Sequence, residues 1–304
     1  KMAENKIKTI AVLGPNANNR RSLDGNYEGT SSRYITVLEG IQDYVGDDVR
    51  VLYSEGCHLF RDQINQMAVK CDRVAEIKEI CSESDVVIAV MGLDATLEGE
   101  DGDTGSDYGM GDKPYLHLPG IQTEVLKIAK ESGKPVILVN MTGSAMTLNW
   151  EEENLDGIIQ GWYPGARGGK AIARLLFGEA DFEGKLPVTF YRTMEELPEF
   201  TDYSMKNRTY RYMKNEALYP FGYGLSYTKF EYENTVLIED ADHVDIKTII
   251  KNTGKMDGTE TVQVYVGARE EWVPNPQLKK IKKVFLKKGE SKEIEVILTK
   301  EDFY

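Results

Sequence analysis

Cysteine and histidine are scarce in this 304-residue chain, with three of each. Cys57, Cys71 and Cys81 are an odd number without metal-ligand spacing, which excludes a disulfide framework and a zinc-binding arrangement. Unpaired thiols fit a reducing compartment, so a cytoplasmic location is the expectation. His58, His117 and His243 are scattered and none falls in a nucleophile motif, so no ready-made Ser-His-Asp or Cys-His site is legible. Basic side chains are in deficit: 37 Lys and Arg against 50 Asp and Glu leave a net charge of −13. That balance supplies no phosphate-neutralising face and argues against nucleic acid as a partner. No apolar run approaches the ~20 residues of a membrane span, so no membrane partner is expected. The first residues, Lys1 to Lys6, lack the apolar core of a signal peptide. After Leu13-Gly14-Pro15 there is no G-x-G-x-x-G, hence no dinucleotide fingerprint, and no motif implies a cofactor.

What the chain does have is a folded composition, 41% hydrophobic with 29% charged, and one unusual stretch. From Leu93 to Pro119 a buried-strand pattern (Asp85 to Met91) gives way to Asp94, Glu98, Glu100, Asp101, Asp103, Asp107 and Asp112 with five interleaved glycines. A long acidic loop at the carboxyl end of a strand lies where open α/β sheets place their ligand crevices. A carboxylate for acid/base work, a cation site and a solvated acidic loop all fit that composition. Asp101, Asp103 and Asp112 approach a calcium-loop pattern. However, Ser106 takes the place of the required glycine and Gly105 that of a ligand, so no metal is assigned.

Around this loop the chain alternates. Strand patterns at Lys8–Gly14, Asp48–Tyr53, Asp85–Met91, Pro135–Asn140 and Gly157–Gly161 are separated by helical ones. The helical patterns are Thr36 to Tyr44, Met67–Cys81, Pro119–Glu131, a short one ending at Trp150, and Lys170–Phe177. Thr36 with Glu39 suggests a capping box. This cadence predicts an α/β fold, a mostly parallel sheet flanked by helices. After a short strand at Leu186–Phe190 the texture turns aromatic and irregular (about 201–228). From Phe230 onward strand follows strand, at Val244–Lys251, Thr259–Gly267, Lys280–Leu286 and Glu293–Leu298, the rhythm of a β-sandwich. The reading is therefore an α/β domain over 1–228 and an all-β domain over 229–304. The latter, at about 75 residues, falls short of the ~100 usual for such sandwiches, so it is expected to be incomplete.

The ordered motifs carry a resemblance. Those before the aromatic region are Ile10 to Ala17, Gly25-Asn26-Tyr27, Glu98-Gly99-Glu100 with Gly111-Asp112, Leu116 to Pro119, Trp162-Tyr163-Pro164-Gly165 and Gly184 to Phe190. Arg208-Thr209-Tyr210-Arg211-Tyr212 and Tyr219 to Tyr227 follow. Together they resemble the C-terminal half of glycoside hydrolase family 3 enzymes, in which a (β/α)8-like barrel is joined to an α/β sandwich and a fibronectin-type-III-like domain. The Arg-Thr-Tyr-Arg-Tyr stretch leans towards β-xylosidases, with β-glucosidases next.

The resemblance implies a retaining mechanism with two carboxylates. An aspartate nucleophile sits on the barrel and an acid/base glutamate is delivered by the acidic loop. A G-E-G core in many relatives aligns with Gly99-Glu100-Asp101 and favours Glu100, whereas E-A-E versions make Glu98 its competitor. Lys113 stands where relatives commonly carry arginine, and Asp103 to Met110 resembles an insertion. The nucleophile and most of the sugar pocket then lie on a barrel outside this sequence, upstream, downstream or on another chain, and the chain alone is expected to be inactive. The partners implied are a β-linked oligosaccharide or aryl glycoside, the barrel domain, and a second copy in a homodimer. The contrasting function is a non-catalytic carbohydrate-binding or interaction module on the same fold. For Trp162, Tyr163 and the tyrosines from Tyr203 to Tyr227, packing against a neighbouring domain is preferred over sugar stacking. Arg208 and Arg211 are expected to pair with surface carboxylates.

Overall fold

A computed structural model describes residues 7–26, 28–60, 71–100, 113–268 and 274–303. Packing divides the chain into two compact units, one ending at Glu179 and one beginning at Ala180.

The first unit is built on β1 (Thr9–Leu13), α1 (Val37–Val45), β2 (Arg50–Ser54), α2 (Val74–Ser82), β3 (Val86–Gly92), α3 (Gln122–Glu131), β4 (Val136–Met141), α4 (Asn149–Asn154), β5 (Gly157–Gln160) and α5 (Gly168–Leu176). All five strands are parallel, in the order β2-β1-β3-β4-β5. The apolar runs of β1 and β3 form the centre, and every residue of both is buried, as expected of strands covered on two faces. Ile10, Val12, Ile88 and Val90 face one side, with Val37, Ile41, Ile172 and Ala173 from α1 and α5. The alternate strand residues face the other side, where α2 and α3 bury Ile77, Cys81, Val125, Leu126 and Ala129.

Local sequence explains most of the boundaries. Thr36 Oγ1 accepts from the Glu39 amide at 3.2 Å and starts α1, but Glu39 turns to Arg33 at 3.4 Å, so only half of the expected capping box forms. Of the helix expected over Met67–Cys81, the described residues show Val74–Ser82. Gly92 ends β3 at φ +135°, and a Cβ there would sit 2.1 Å from the Met141 carbonyl oxygen, so only glycine fits. Gln122, fully buried at the start of α3, straps this strand end. It accepts from the Gly92 amide at 2.7 Å and donates to the Gly92 and Leu59 carbonyls at 2.8 and 2.7 Å.

The second unit adds α6 (Thr209–Tyr212), β6 (Phe230–Glu239), β7 (His243–Asn252), β8 (Gly258–Val266), β9 (Gln277–Leu286) and β10 (Ser291–Thr299). All pairings are antiparallel, giving one sheet in the order β10-β7-β6 and another of β8 and β9. Ile250, Val262, Val284, Leu286 and Ile294 form the core between them. This is the α/β fold followed by a β-sandwich that the sequence predicts. In place of the expected strand at Leu186–Phe190 there is an isolated bridge between Phe190 and Tyr219, with Leu186 exchanging backbone hydrogen bonds with Tyr223 and Gly222 at 2.8 Å on the other side of Pro187, which has no amide to give.

The aromatic connector, which the sequence reading attaches to the α/β domain, finds its partners on the sandwich. Gln263 on β8 donates to the Gly222 carbonyl at 2.9 Å, and Thr261 beside it to the Glu183 carbonyl, upstream of the connector, at 2.7 Å. Tyr210 stacks on Phe221 at 4.0 Å and meets Tyr265 edge-on at 6.5 Å, in keeping with a packing role for these rings. Phe200 and Tyr203 are instead 88% and 84% exposed. Arg208 does not pair with a carboxylate as expected. Its guanidinium donates to the carbonyls of Glu199 and Asp202 at 2.7 and 3.2 Å, across a turn closed by the Asp202 amide on the Glu199 carbonyl at 2.9 Å.

Candidate active site

The sheet order changes direction at β1, which lies between β2 and β3, and the carboxyl ends flanking such a switch point form the natural crevice of an open α/β sheet. Loops after β1, β3, β4 and β5 converge there. Asn16 Nδ2 donates to the Leu93 carbonyl at 2.7 Å and Asn19 Nδ2 to Asp94 Oδ2 at 2.9 Å, joining the first two loops. Asp94 is buried and shapes the start of the acidic loop. Its other oxygen accepts from the Thr96 amide and hydroxyl at 2.9 and 2.5 Å, while its carbonyl accepts from the amides of Leu97 and Glu98 at 2.9 and 3.1 Å. The loop therefore leaves β3 in a tight turn.

That turn delivers Glu98 into a cluster of donors. Its Oε2 accepts from the Gly143 amide at 2.7 Å and from the Tyr163 hydroxyl at 2.5 Å, and its Oε1 accepts from the Ser144 hydroxyl. Gly143 allows this approach: a Cβ on it would lie 2.8 Å from the Tyr163 ring and 3.1 Å from Glu98 Oε2. Burial first, then the neighbouring Glu98 charge, raises the Tyr163 pKa well above the ordinary range, so the phenol keeps its proton and acts as a donor.

Lys113 completes the cluster from the far side of the loop. Its Nζ donates to Ser144 Oγ at 2.5 Å and to the Ala145 carbonyl at 2.7 Å, with Met146 Sδ at 3.3 Å and Glu98 Oε1 at 3.8 Å. The side chains of Lys113 and Glu98 are only 12% and 13% exposed. Desolvation pushes the Lys113 ammonium down to about 8, opposed by the Glu98 charge.

Of the two glutamates singled out by sequence, Glu98 thus sits inside the cluster and Glu100 is exposed two residues on. Asp94 is spent on the turn. Asp101, Asp103, Asp107 and Asp112, with the near-miss calcium pattern, lie outside the described residues, as does Tyr27. Among the described residues no group of three or more His, Cys, Asp or Glu side chains could hold a metal ion, and no helix is long and apolar enough to cross a membrane. His117 lies outside the cluster, stacked on Tyr115 at 5.1 Å. Trp162, beside Tyr163, holds φ +54°, a conformation uncommon for a bulky residue. Gly143, Ser144 and the Tyr163 hydroxyl were not singled out as site groups by sequence. Their common signal is position, since each follows the carboxyl end of a parallel strand.

Comparison with known proteins bears on this arrangement. Residues 2–227 match the glycosyl hydrolase family 3 C-terminal domain, and residues 260–304 the fibronectin type III-like domain. The chain is 40% identical over 234 residues to a xylan 1,4-beta-xylosidase of Xylanibacter ruminicola, covering 76% of this chain and 27% of that protein. It is 32% identical over 322 residues to a periplasmic beta-glucosidase of Salmonella typhimurium, covering 95% and 41%. Among solved structures it superposes on a b-glucosidase from Erythrobacter marinus with TM-score 0.81 at 29% identity, covering 98% of this chain and 42% of that one. A GH3 exo-beta-xylosidase in complex with a xylobiose aziridine activity-based probe gives TM-score 0.83 at 25% identity, covering 99% and 41%. The chain thus spans well under half the length of these relatives. With its parallel α/β unit and its following sandwich both matched in order, this chain belongs to glycoside hydrolase family 3, as the C-terminal domain and the fibronectin type III-like domain of that family.

Proposed function

We propose that this chain supplies the general acid/base, Glu100, of a retaining exo-β-glycosidase that releases terminal β-linked xylose, with glucose the next candidate. The observation that carries the assignment is the different exposure of the two loop glutamates. Both oxygens of Glu98 are engaged by three donors, so that carboxylate is a fixture of the fold. Glu100 lies exposed just beyond it, and that exposure supports the reading that it meets a substrate held by a second domain. The 40% identity to a named β-xylosidase, against 32% to a β-glucosidase, supports xylose first.

In the proposed reaction Glu100 protonates the departing glycosidic oxygen while an aspartate on a barrel outside these 304 residues attacks the anomeric carbon. Glu100, now a carboxylate, then takes a proton from the water that releases the sugar. Retention requires the two carboxyls ~5–5.5 Å apart, so catalysis needs the barrel, in the same or another chain, and the 304 residues alone are inactive.

The test is azide rescue in the assembled enzyme. For Glu100→Ala, glycosides with a dinitrophenolate leaving group, which needs no protonation, still react. Deglycosylation becomes limiting, and azide restores turnover to give a β-glycosyl azide. Rescue of Glu98→Ala instead would exchange the two roles. Rescue of neither, with oligosaccharide binding retained, would favour a non-catalytic binding module.

A further inference from the structure

Resting on Glu100 as the acid/base, we propose that Lys113 is a positioning residue for it, clamping the returning end of the acidic loop to the same turn that holds Glu98. The two ends of the segment reach residues 143–146 from opposite sides. Glu98 takes the Gly143 amide and the Ser144 hydroxyl, and Lys113 takes the Ser144 hydroxyl, the Ala145 carbonyl and the Met146 sulfur. Ser144 is the shared link, accepting from Lys113 and donating to Glu98, so its one proton fixes the direction of the chain. Three residues past Lys113 the grip continues, as the Leu116 carbonyl accepts from the Thr147 amide at 2.7 Å.

The turn that receives both ends is itself braced. The Thr142 hydroxyl donates to the Ser144 carbonyl at 2.9 Å and accepts from Gln160 Nε2 at 3.0 Å, tying it to the end of β5. Holding both ends on one braced turn restricts where Glu100 can stand, and a displacement of about 1 Å at a reacting group can cost ~100-fold in rate. Lys113 is the donor that lets Ser144 give its own proton to Glu98, and its positive charge strengthens that bond and attracts Glu98 at 3.8 Å.

The lysine's environment supports a working charge and not a surface one. Among the described residues, the groups facing its ammonium are Glu98, Ser144, the Ala145 carbonyl and Met146, with Tyr163 and Asp94 beyond Glu98. Desolvation brings its pKa to about 8. Above that pH Lys113 loses its charge, and its hold on Ser144 and Glu98 weakens.

The test compares Lys113→Met, Lys113→Arg and wild type in the assembled enzyme. Misplacing the acid should hurt substrates that need protonation most. For Lys113→Met we expect kcat on p-nitrophenyl or disaccharide substrates to fall about 10- to 100-fold, KM to change little, and dinitrophenyl glycosides to lose less than about threefold in the glycosylation step. Lys113→Arg, charged at all accessible pH values, should recover most of the rate and move the alkaline limb of the kcat profile upward from about pH 8. On the 304-residue chain itself, NMR of labelled lysine should show one ammonium titrating near pH 8 and absent from Lys113→Met. Equal losses on all leaving groups, an unmoved alkaline limb in the arginine variant, or no lysine titrating early would each overturn the proposal. If Lys113→Met does not fold, the arginine variant and the titration still decide it. Azide rescue of Glu100→Ala tests the underlying assignment separately, so success there with a wild-type leaving-group dependence in Lys113→Met would sink this inference alone.

Discussion

Replacing Glu98 by alanine should be among the more damaging single changes to the first unit, and the cluster allows its cost to be worked out. The change removes one carboxylate, which takes the acceptor from three donors, the Gly143 amide and the Ser144 and Tyr163 hydroxyls, and the counter-charge from the Lys113 ammonium 3.8 Å away. Gly143 lies on an exposed turn, so water can replace its partner at little cost. The Tyr163 hydroxyl is mostly enclosed, and a buried polar group left without a partner costs about 1–3 kcal/mol, while the Lys113 ammonium keeps its Ser144 and Ala145 contacts but loses the neighbouring negative charge. Allowing for partial rehydration, the loss should be about 3 kcal/mol, near the lower end of what breaking a buried ion pair costs. For a unit of this size that corresponds to a drop of about 6–12 °C in Tm. Glu98→Gln should not restore the wild type. Its amide offers one acceptor and one donor group to a site that presents donors to both oxygens, so a donor must face a donor. Calorimetry and urea titration, followed through Trp150 and Trp162 in the first unit, would measure both. A Glu98→Ala chain within about 0.5 kcal/mol of wild type would behave as a surface substitution and refute the account of the cluster.

Two further outcomes follow from single contacts. Gly92→Ala must relieve a 2.1 Å approach to the Met141 carbonyl at φ +135°, and should lower the urea midpoint of the first unit or abolish its folding, whereas an unchanged midpoint would show that the strand ends can part. Asp85 accepts from the Lys8 and Thr9 amides at 2.7 and 3.0 Å, which holds its pKa below the ordinary value. Its contribution is therefore present above the unfolded pKa and lost as pH falls through the lower folded one. The stability difference between wild type and Asp85→Asn should be flat near neutrality and shrink below about pH 4, and a difference independent of pH would contradict it.

How legible the fold was depended on how local each signal is. β1 and β3 could be read directly because a strand buried on both faces reads as a near-continuous apolar run, and their neighbours in the sheet follow from the alternation. Thr36 was legible as a cap because its partner amide is three residues away, but Glu39 had a choice between the backbone and Arg33 that no local pattern records. The connector's contacts are no more local: Gln263 and Tyr265, on a strand read only as part of the sandwich, hold Gly222 and Tyr210.

The candidate site shows the limit most sharply. A Glu-x-Glu pair would present both carboxylates to one side if its backbone were an extended strand, where residues i and i+2 share a face. Here the Glu98 amide closes back onto the Asp94 carbonyl, so the chain is turning as it passes Glu98, and one glutamate goes inward while the next stays exposed. The groups that draw Glu98 inward come from 45, 46 and 65 residues away in sequence, on the turns after β4 and β5. No spacing within the acidic loop encodes them. What the sequence does encode is the glycine at each close approach, Gly92 at the strand end and Gly143 at the carboxylate, so the chain marks where backbones must meet without naming the side chain they admit. The proposed choice between Glu98 and Glu100 therefore rests on which carboxylate the fold encloses. The one left exposed can serve a reaction only if its loop is held still, and this makes the clamp through Ser144 and Lys113 as much a condition of the proposed chemistry as the glutamate itself.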